Sequence, residues 1–98
     1  MSLEVLRIPK MDPLDGKPGG PGWCHVNAGD GRRLKPLIRC RCGWWCGIGL
    51  HSVAADGTVS ASFHHTPECD PGRGCGWHAF VTLDGYDGPA FGPGEGAR

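Results

Sequence analysis

Apolar and polar positions alternate with the two-residue period of a β-strand in several short stretches of the chain. The clearest stretch is 77–83, where Trp77, Ala79, Val81 and Leu83 share one face. No window has the 3.6-residue period of an amphipathic helix, and glycine and proline recur too often to leave room for one. The pattern predicts strands over residues 3–8, 23–27, 34–39, 47–53, 58–64 and 77–83.

A tight hairpin is predicted between the strands over 47–53 and 58–64. They flank Asp56-Gly57, and an Asp-Gly pair between two β-like runs favours a two-residue turn in which positive φ is needed. Apolar side chains in the second strand alternate with threonine and serine, which predicts one buried face: Val59, Ala61 and Phe63.

The composition limits how such strands can be held together. The 98 residues include 18 glycines and 9 prolines, whereas leucine, isoleucine, valine and phenylalanine together number 18. This length supports one domain, and ordering it costs on the order of 150 kcal/mol of conformational entropy. So few large aliphatic side chains predict an additional constraint, and the six cysteines are the candidates.

Cysteine spacing favours a metal site over the disulfide framework that six cysteines also allow. Cys40 and Cys42 are one residue apart and precede Gly43, and Cys75 is followed three positions later by His78. Two short-spaced pairs, each with a glycine in its turn, are typical of a closed tetrahedral zinc site. Thiolate and imidazole also suit this ion. We predict zinc bound by Cys40, Cys42, Cys75 and His78.

Further cysteines and histidines near these two pairs are alternative ligands. One cysteine lies four residues past Cys42, another lies six before Cys75, and two adjacent histidines end a predicted strand. The cysteines could instead be small buried apolar residues. The alternative ligands are Cys46, Cys69, His64 and His65.

The sequence predicts three parts along the chain. Residues 1–33 form an N-terminal strand and a Gly/Pro-rich arm, residues 34–88 a zinc-binding β domain, and residues 89–98 a flexible C-terminal tail. We expect a mainly β fold, with a small zinc-stapled antiparallel sheet of the zinc-ribbon type and extended Gly/Pro-rich arms. The metal would join the ends of two strands.

Three motifs within residues 39–86 carry a family resemblance: Cys40-x-Cys42-Gly43, Asp56-Gly57-Thr58-Val59-Ser60-x-Ser62 and Cys75-Gly76-x-His78-x-Phe80-x-x-Leu83. Together they resemble a family of small bacterial and phage proteins regarded as zinc-binding and β-rich. The resemblance implies the same four ligands. The chain departs from the pattern at Cys46, in the segment 64–74 and in its N-terminal arm.

The charge pattern gives one indication of a partner. Ten basic residues balance ten acidic ones, whereas a dedicated nucleic-acid binder usually carries a basic excess. Five cations nevertheless precede two adjacent tryptophans, and cations beside stacking aromatics suit single-stranded nucleic acid. The candidate nucleic-acid or partner contacts are Arg32, Arg33, Lys35, Arg39, Arg41, Trp44 and Trp45.

We expect a non-enzymatic structural or interaction module, because no histidine–glutamate motif of a catalytic zinc site is present. Its partner would be another protein or a second copy of the chain, as in a phage virion or accessory component. A nucleic-acid-binding protein is the first alternative and a metal-dependent enzyme the second. With no run of about 18 apolar residues and no signal-peptide pattern, we expect no membrane partner. The expected location is the bacterial cytoplasm or a virion.

Overall fold

A computed structural model of the chain describes residues 4–12, 20–66, 72 and 74–95. These residues form strands and no helix, which confirms the predicted mainly β class. None of them belongs to a helix that is long and apolar enough to cross a membrane. The strands are β1 (Glu4–Ile8), β2 (Gly22–Asn27), β3 (Arg33–Arg39), β4 (Trp45–Cys46), β5 (Ser52–Val53), β6 (Val59–Ser60), β7 (Phe63–His65) and β8 (Trp77–Leu83).

The strands form two three-stranded sheets and a two-stranded hairpin. The first sheet has the order β1-β8-β7, the second the order β2-β3-β4, and β5 pairs with β6. Within them, β1 runs parallel to β8, from Glu4 opposite Ala79 to Ile8 opposite Leu83, and the other strand pairs are antiparallel. The first and last strands among the described residues are therefore neighbours in one sheet.

Aromatic side chains fill the middle of the core. Trp23 and Trp77, from different sheets, are both almost fully buried. Trp77, Ala79, Val81 and Leu83 are the buried side of β8, as the alternation predicts. The core cluster comprises Ile8, Trp23, Ile38, Cys40, Ile48, Val53, Val59, Phe63, Trp77, Ala79, Val81 and Leu83.

The predicted hairpin around Asp56-Gly57 is present, but its strands are shorter than expected. The Gly57 N–H donates to the Ala54 carbonyl at 2.9 Å, and Gly57 has a φ of +92°. The strand predicted over 47–53 is regular only at its end, and the one over 58–64 divides into β6 and β7. Because these two pieces pair with different strands, the intervening Ala61 is exposed instead of sharing the buried face.

The predicted C-terminal tail packs on the sheets over the part that the structure describes. Phe91 and Val53 exchange two backbone hydrogen bonds of 2.8 Å, and the Gly94 N–H donates to the Gly49 carbonyl. Phe91 also packs against the core. Residues 91–94, which belong to the predicted flexible tail, therefore contact the sheets and the core in the structure. Residues 96–98 lie outside the described residues.

The predicted N-terminal arm is likewise joined to the rest of the fold where it is described. β2 pairs with β3 across the predicted boundary at residues 33 and 34. The Met11 N–H donates to the Trp23 carbonyl, and the Trp23 N–H donates to that of Pro9. The 1–33 and 34–88 segments therefore share sheets, which differs from the predicted division. Residues 13–19, in the middle of the predicted arm, lie outside the described residues.

Candidate metal centre

Three thiols and one imidazole meet where the β3–β4 turn faces the β7–β8 connection. One ligand atom from each of Cys40, Cys42, His65 and Cys75 lies within 4.8 Å of all the others. Cys40 Sγ is 3.1 Å from Cys75 Sγ, and Cys42 Sγ is 3.7 Å from His65 Nδ1. Ligand atoms around a tetrahedral zinc ion are about 3.5–3.8 Å apart, so adjustments of about one ångström would suffice. We call these four residues the Cys/His cluster.

The first half of the cluster is a tight turn between β3 and β4. The Cys40 N–H donates to the Trp44 carbonyl, and the Gly43 N–H donates to the Cys40 carbonyl, both at 2.8 Å. Gly43 has a φ of +93°, a conformation that strongly favours glycine. This turn buries Cys40 in the core and leaves Cys42 exposed.

The second half comes from the end of β7 and the residue just before β8. The Gly76 N–H donates to the His65 carbonyl at 2.8 Å, and Gly76 has a φ of +86°. This bond holds Cys75 beside His65. The His65 side chain is buried, with 2% of the residue exposed, whereas Cys75 is exposed. Each half of the cluster thus contributes one buried and one exposed ligand.

The structure brings His65, one of the alternative ligands, into the cluster and places His78 outside it. In the β7–β8 pair, His64 lies opposite His78 and His65 opposite Trp77. Trp77 and His65 are buried, whereas His64 and His78 are exposed. His78 Nε2 instead forms a 2.7 Å hydrogen bond with the Ser62 hydroxyl. The predicted Cys40, Cys42 and Cys75 do come together.

The other alternative ligands lie apart from the cluster or outside the described residues. The Cys46 thiol donates to the Trp44 carbonyl at 3.7 Å and is half-buried. His64 is exposed on the outer side of β7. Cys69 lies outside the described residues. Neither Cys46 nor His64 belongs to the group of four.

Hydrogen bonds among the thiols concentrate negative charge on one of them. Burial raises the pKa of the Cys40 thiol to about 12, and its hydrogen bond with Cys75 acts in the same direction. Desolvation opposes ionisation of Cys75, but hydrogen bonds from Cys40 and from the Trp77 backbone outweigh it and lower the pKa of Cys75 to about 6. The thiolate is the form in which cysteine binds a metal. The cluster therefore has the donor chemistry of a soft-metal site.

Lys35, one of the predicted contact residues, is buried. Only 5% of it is exposed. Its ammonium donates to three backbone carbonyls, those of Gly49 and Gly92 at 3.0 Å and that of His51 at 2.6 Å. Desolvation lowers the pKa of Lys35, against the attraction of Glu95. Lys35 therefore joins β3 to the 49–51 loop and the C-terminal segment, and its ammonium is engaged by the protein's own carbonyls.

The other predicted contact residues differ in exposure and in their partners. Arg32 is exposed but pairs with Asp30 at 2.8 Å, and Arg39 Nε donates to the Gly43 carbonyl. Arg33 and Arg41 are exposed. Trp44 is 45% exposed, whereas Trp45 is half-buried.

The fold and the site together define a mainly β protein with a Cys/His cluster able to hold a metal ion. Comparison with protein-family models, with curated proteins and with solved structures finds no match to this chain.

Proposed function

We propose that this protein is a non-enzymatic interaction module whose fold is held together by one structural zinc ion. The observation that supports the proposal is the convergence of Cys40, Cys42, His65 and Cys75. Three thiolates and an imidazole match the donors and the number of ligands of structural zinc sites.

The position of the cluster supports a structural role for the ion. Cys40 and Cys42 follow β3 of the second sheet, whereas His65 and Cys75 flank the β7–β8 connection of the first sheet. An ion bound here would tie the two sheets together at one end. Because the unfolded chain has no preformed site, most of the binding free energy would stabilise the fold.

A ligand set of four protein atoms also favours a structural ion over a catalytic one. A catalytic zinc ion usually has three protein ligands and keeps one position for water or substrate. All four tetrahedral positions can be filled here from the cluster. This supports the non-enzymatic form of the proposal.

The surface that would carry the interaction is part of the lining of a cleft beside the cluster. Trp44 is 45% exposed and Leu50 is 88% exposed, and both line this cleft. Exposed tryptophan is enriched among residues that dominate protein interfaces. We propose a protein partner at this surface, in the first instance a second copy of the chain. A phage component in the bacterial cytoplasm or in a virion is the proposed setting.

The nucleic-acid alternative has less support. Of the five predicted cations, Lys35 is buried and Arg32 is paired with Asp30. The chain also has no formal net charge. Binding to phosphate backbones depends mainly on the number of cations that reach them.

X-ray absorption spectroscopy of the zinc-loaded protein tests the structural ion. We expect a first shell of three sulfur atoms at about 2.3 Å and one nitrogen at about 2.0–2.1 Å. The His78→Ala variant is the control and should give the same spectrum. A water oxygen in the first shell, or a shell without sulfur, would contradict a closed structural site.

Sedimentation velocity of the zinc-loaded protein tests the interaction surface. We expect a species of twice the chain mass or larger, which the Trp44→Ser, Leu50→Ser double variant should shift towards the monomer. Val5→Ser is a matched control, because Val5 is 78% exposed and does not line the cleft. A monomer at all concentrations, or an oligomer that the double variant leaves unchanged, would count against self-association through this surface.

A further inference from the structure

The Cys/His cluster contains a pair of sulfur atoms that lie close enough to become a disulfide. Cys40 Sγ and Cys75 Sγ are 3.1 Å apart. An S–S bond is about 2.05 Å long, so the two atoms would have to approach by roughly one ångström. Cys40 follows β3 and Cys75 precedes β8. A covalent bond between them would therefore connect the two halves of the cluster without the ion.

The two thiols of this pair differ in their access to solvent. Cys75 is exposed, whereas Cys40 is buried, with 0% of the residue exposed. Cysteine oxidation follows exposure and thiolate character, and oxidation-sensitive cysteines often lie beside a second cysteine that completes the disulfide. Metal binding requires both sulfurs as thiolates. A dissolved oxidant therefore reaches Cys75 first, and Cys40 lies beside the sulfur that has been oxidised.

A disulfide between these two cysteines would remove two of the four ligands of the cluster. The thiolate is the form of cysteine that binds a metal, and a disulfide sulfur no longer carries that charge. Cys42 and His65 would remain, with Cys42 Sγ 3.7 Å from His65 Nδ1. A structural zinc site uses four protein ligands, so the oxidised chain lacks a closed site for the ion.

We propose that Cys40 and Cys75 form a reversible oxidation site, at which hydrogen peroxide produces a disulfide and the chain releases its zinc. This inference rests on the proposed function, because it concerns the regulation of the same cluster. The zinc-loaded form is then the reduced form of the protein, and a thiol or phosphine reductant restores it.

The reaction has two steps. The Cys75 thiolate attacks one oxygen of hydrogen peroxide, so that the O–O bond breaks, a sulfenic acid forms and hydroxide leaves. The Cys40 thiolate then attacks the Cys75 sulfur, so that the S–S bond forms, the S–O bond breaks and a second hydroxide leaves. The two hydroxides take up protons from solvent. The cysteines lose two electrons in total, and the peroxide is reduced to two water molecules.

Peroxide treatment of the untagged, zinc-loaded full chain tests the site. Zinc release is followed with a chromogenic chelator, against a sample without peroxide, and disulfides are mapped by mass spectrometry of non-reduced peptides. We expect zinc release to parallel formation of a Cys40–Cys75 disulfide. A phosphine reductant together with added zinc should then restore the original zinc content.

Two variants separate this pair from general oxidation of thiols. Cys75→His removes the exposed thiol and keeps four ligands, since two cysteines and two histidines are also a structural zinc set. It should release zinc about tenfold more slowly, or slower still, under the same peroxide. Cys46→Ser is the control, because Cys46 is a half-buried thiol outside the cluster. Its zinc release and disulfide should match those of the unmodified chain.

Three results on the zinc-loaded protein would overturn the oxidation site. They are zinc retained under peroxide, zinc released without a disulfide, and a disulfide that joins Cys75 to a cysteine other than Cys40. The peptide map of the unmodified chain decides among them even where Cys75→His fails to fold. Absence of zinc from the reduced protein before any peroxide is added would instead contradict the structural ion, so the two failures are distinguishable.

Discussion

The His65→Ala variant is expected to lose stoichiometric zinc, whereas the His78→Ala variant keeps one zinc ion per chain. In the β7–β8 hairpin, His78 is paired with His64 and not with His65. His65 therefore lies on the buried side of the hairpin and His78 on the exposed side. Only the buried one reaches the cysteines. Elemental analysis of the two purified variants measures the difference directly.

Loss of the ion is expected to unfold the domain. Structural zinc contributes roughly 10–16 kcal/mol in small zinc-finger domains, whereas net folding stability is typically about 5–15 kcal/mol. Far-UV circular dichroism of His65→Ala, and of the unmodified protein after complete chelation, should therefore lose the native β signal. His78→Ala should unfold at the same temperature as the unmodified chain.

A pair of cysteine variants separates loss of the metal from damage to the core. Because Cys42 is exposed, Cys42→Ser removes a ligand without opening a cavity, and it should behave like His65→Ala. Cys46→Ser changes a thiol outside the cluster and should retain its zinc. Native dichroism in the fully demetallated protein, or one zinc per chain in both His65→Ala and Cys42→Ser, would show that the cluster does not hold the fold.

The Lys35→Met variant is expected to lose roughly 3 kcal/mol of stability, because hydrogen bonds to a charged group contribute about 1.5–3 kcal/mol and three carbonyls would lose their donor. Those carbonyls belong to Gly49, His51 and Gly92. Methionine keeps much of the apolar stem, so the loss reports on the ammonium. The midpoint of thermal unfolding should fall by at least about 10 °C.

The control for this variant is Arg33→Met, which removes an exposed cation from the same strand and should change the midpoint little. Limited proteolysis adds a local measurement. Since Lys35 holds the carbonyl of Gly92, cleavage near residues 91–95 should be faster in Lys35→Met than in Arg33→Met. Equal midpoints and equal cleavage rates in the two variants would mean that Lys35 does not brace the C-terminal segment.

The ligand set shows which ligands could be predicted from residue spacing alone. The Cys40-x-Cys42 and Cys75 positions were predictable, because each lies in a short turn next to a glycine that the structure uses at positive φ. His65 was only one of four alternatives for the fourth ligand, because the Cys75-x-x-His78 spacing was interpreted as one turn. The chain instead enters β8 at Trp77, and strand alternation directs His78 away from the cluster. The burial of Phe63, two positions before His65 on the same strand, is the signal that favours His65.

In the basic segment and the C-terminal tail, the local sequence pattern does not indicate the packing that the structure shows. Lys35 belongs to a run of cations and was interpreted as a contact residue, yet distant carbonyls enclose it. Phe91 lies among glycines and prolines, yet it pairs with Val53 and packs on the core. Neither outcome depends on nearby residues, so no local pattern could indicate it.

The sequence by itself determined the β class, the last strand and its buried face, the Asp56-Gly57 turn and three of the four clustered ligands. These follow from interactions between residues close in the chain, such as side-chain alternation and the backbone freedom of glycine. Only the tertiary structure decided which histidine joins the cysteines, which cation is buried and where the two ends of the chain pack. Those choices depend on strand register and on contacts between distant segments, for which a single sequence has no periodic signal.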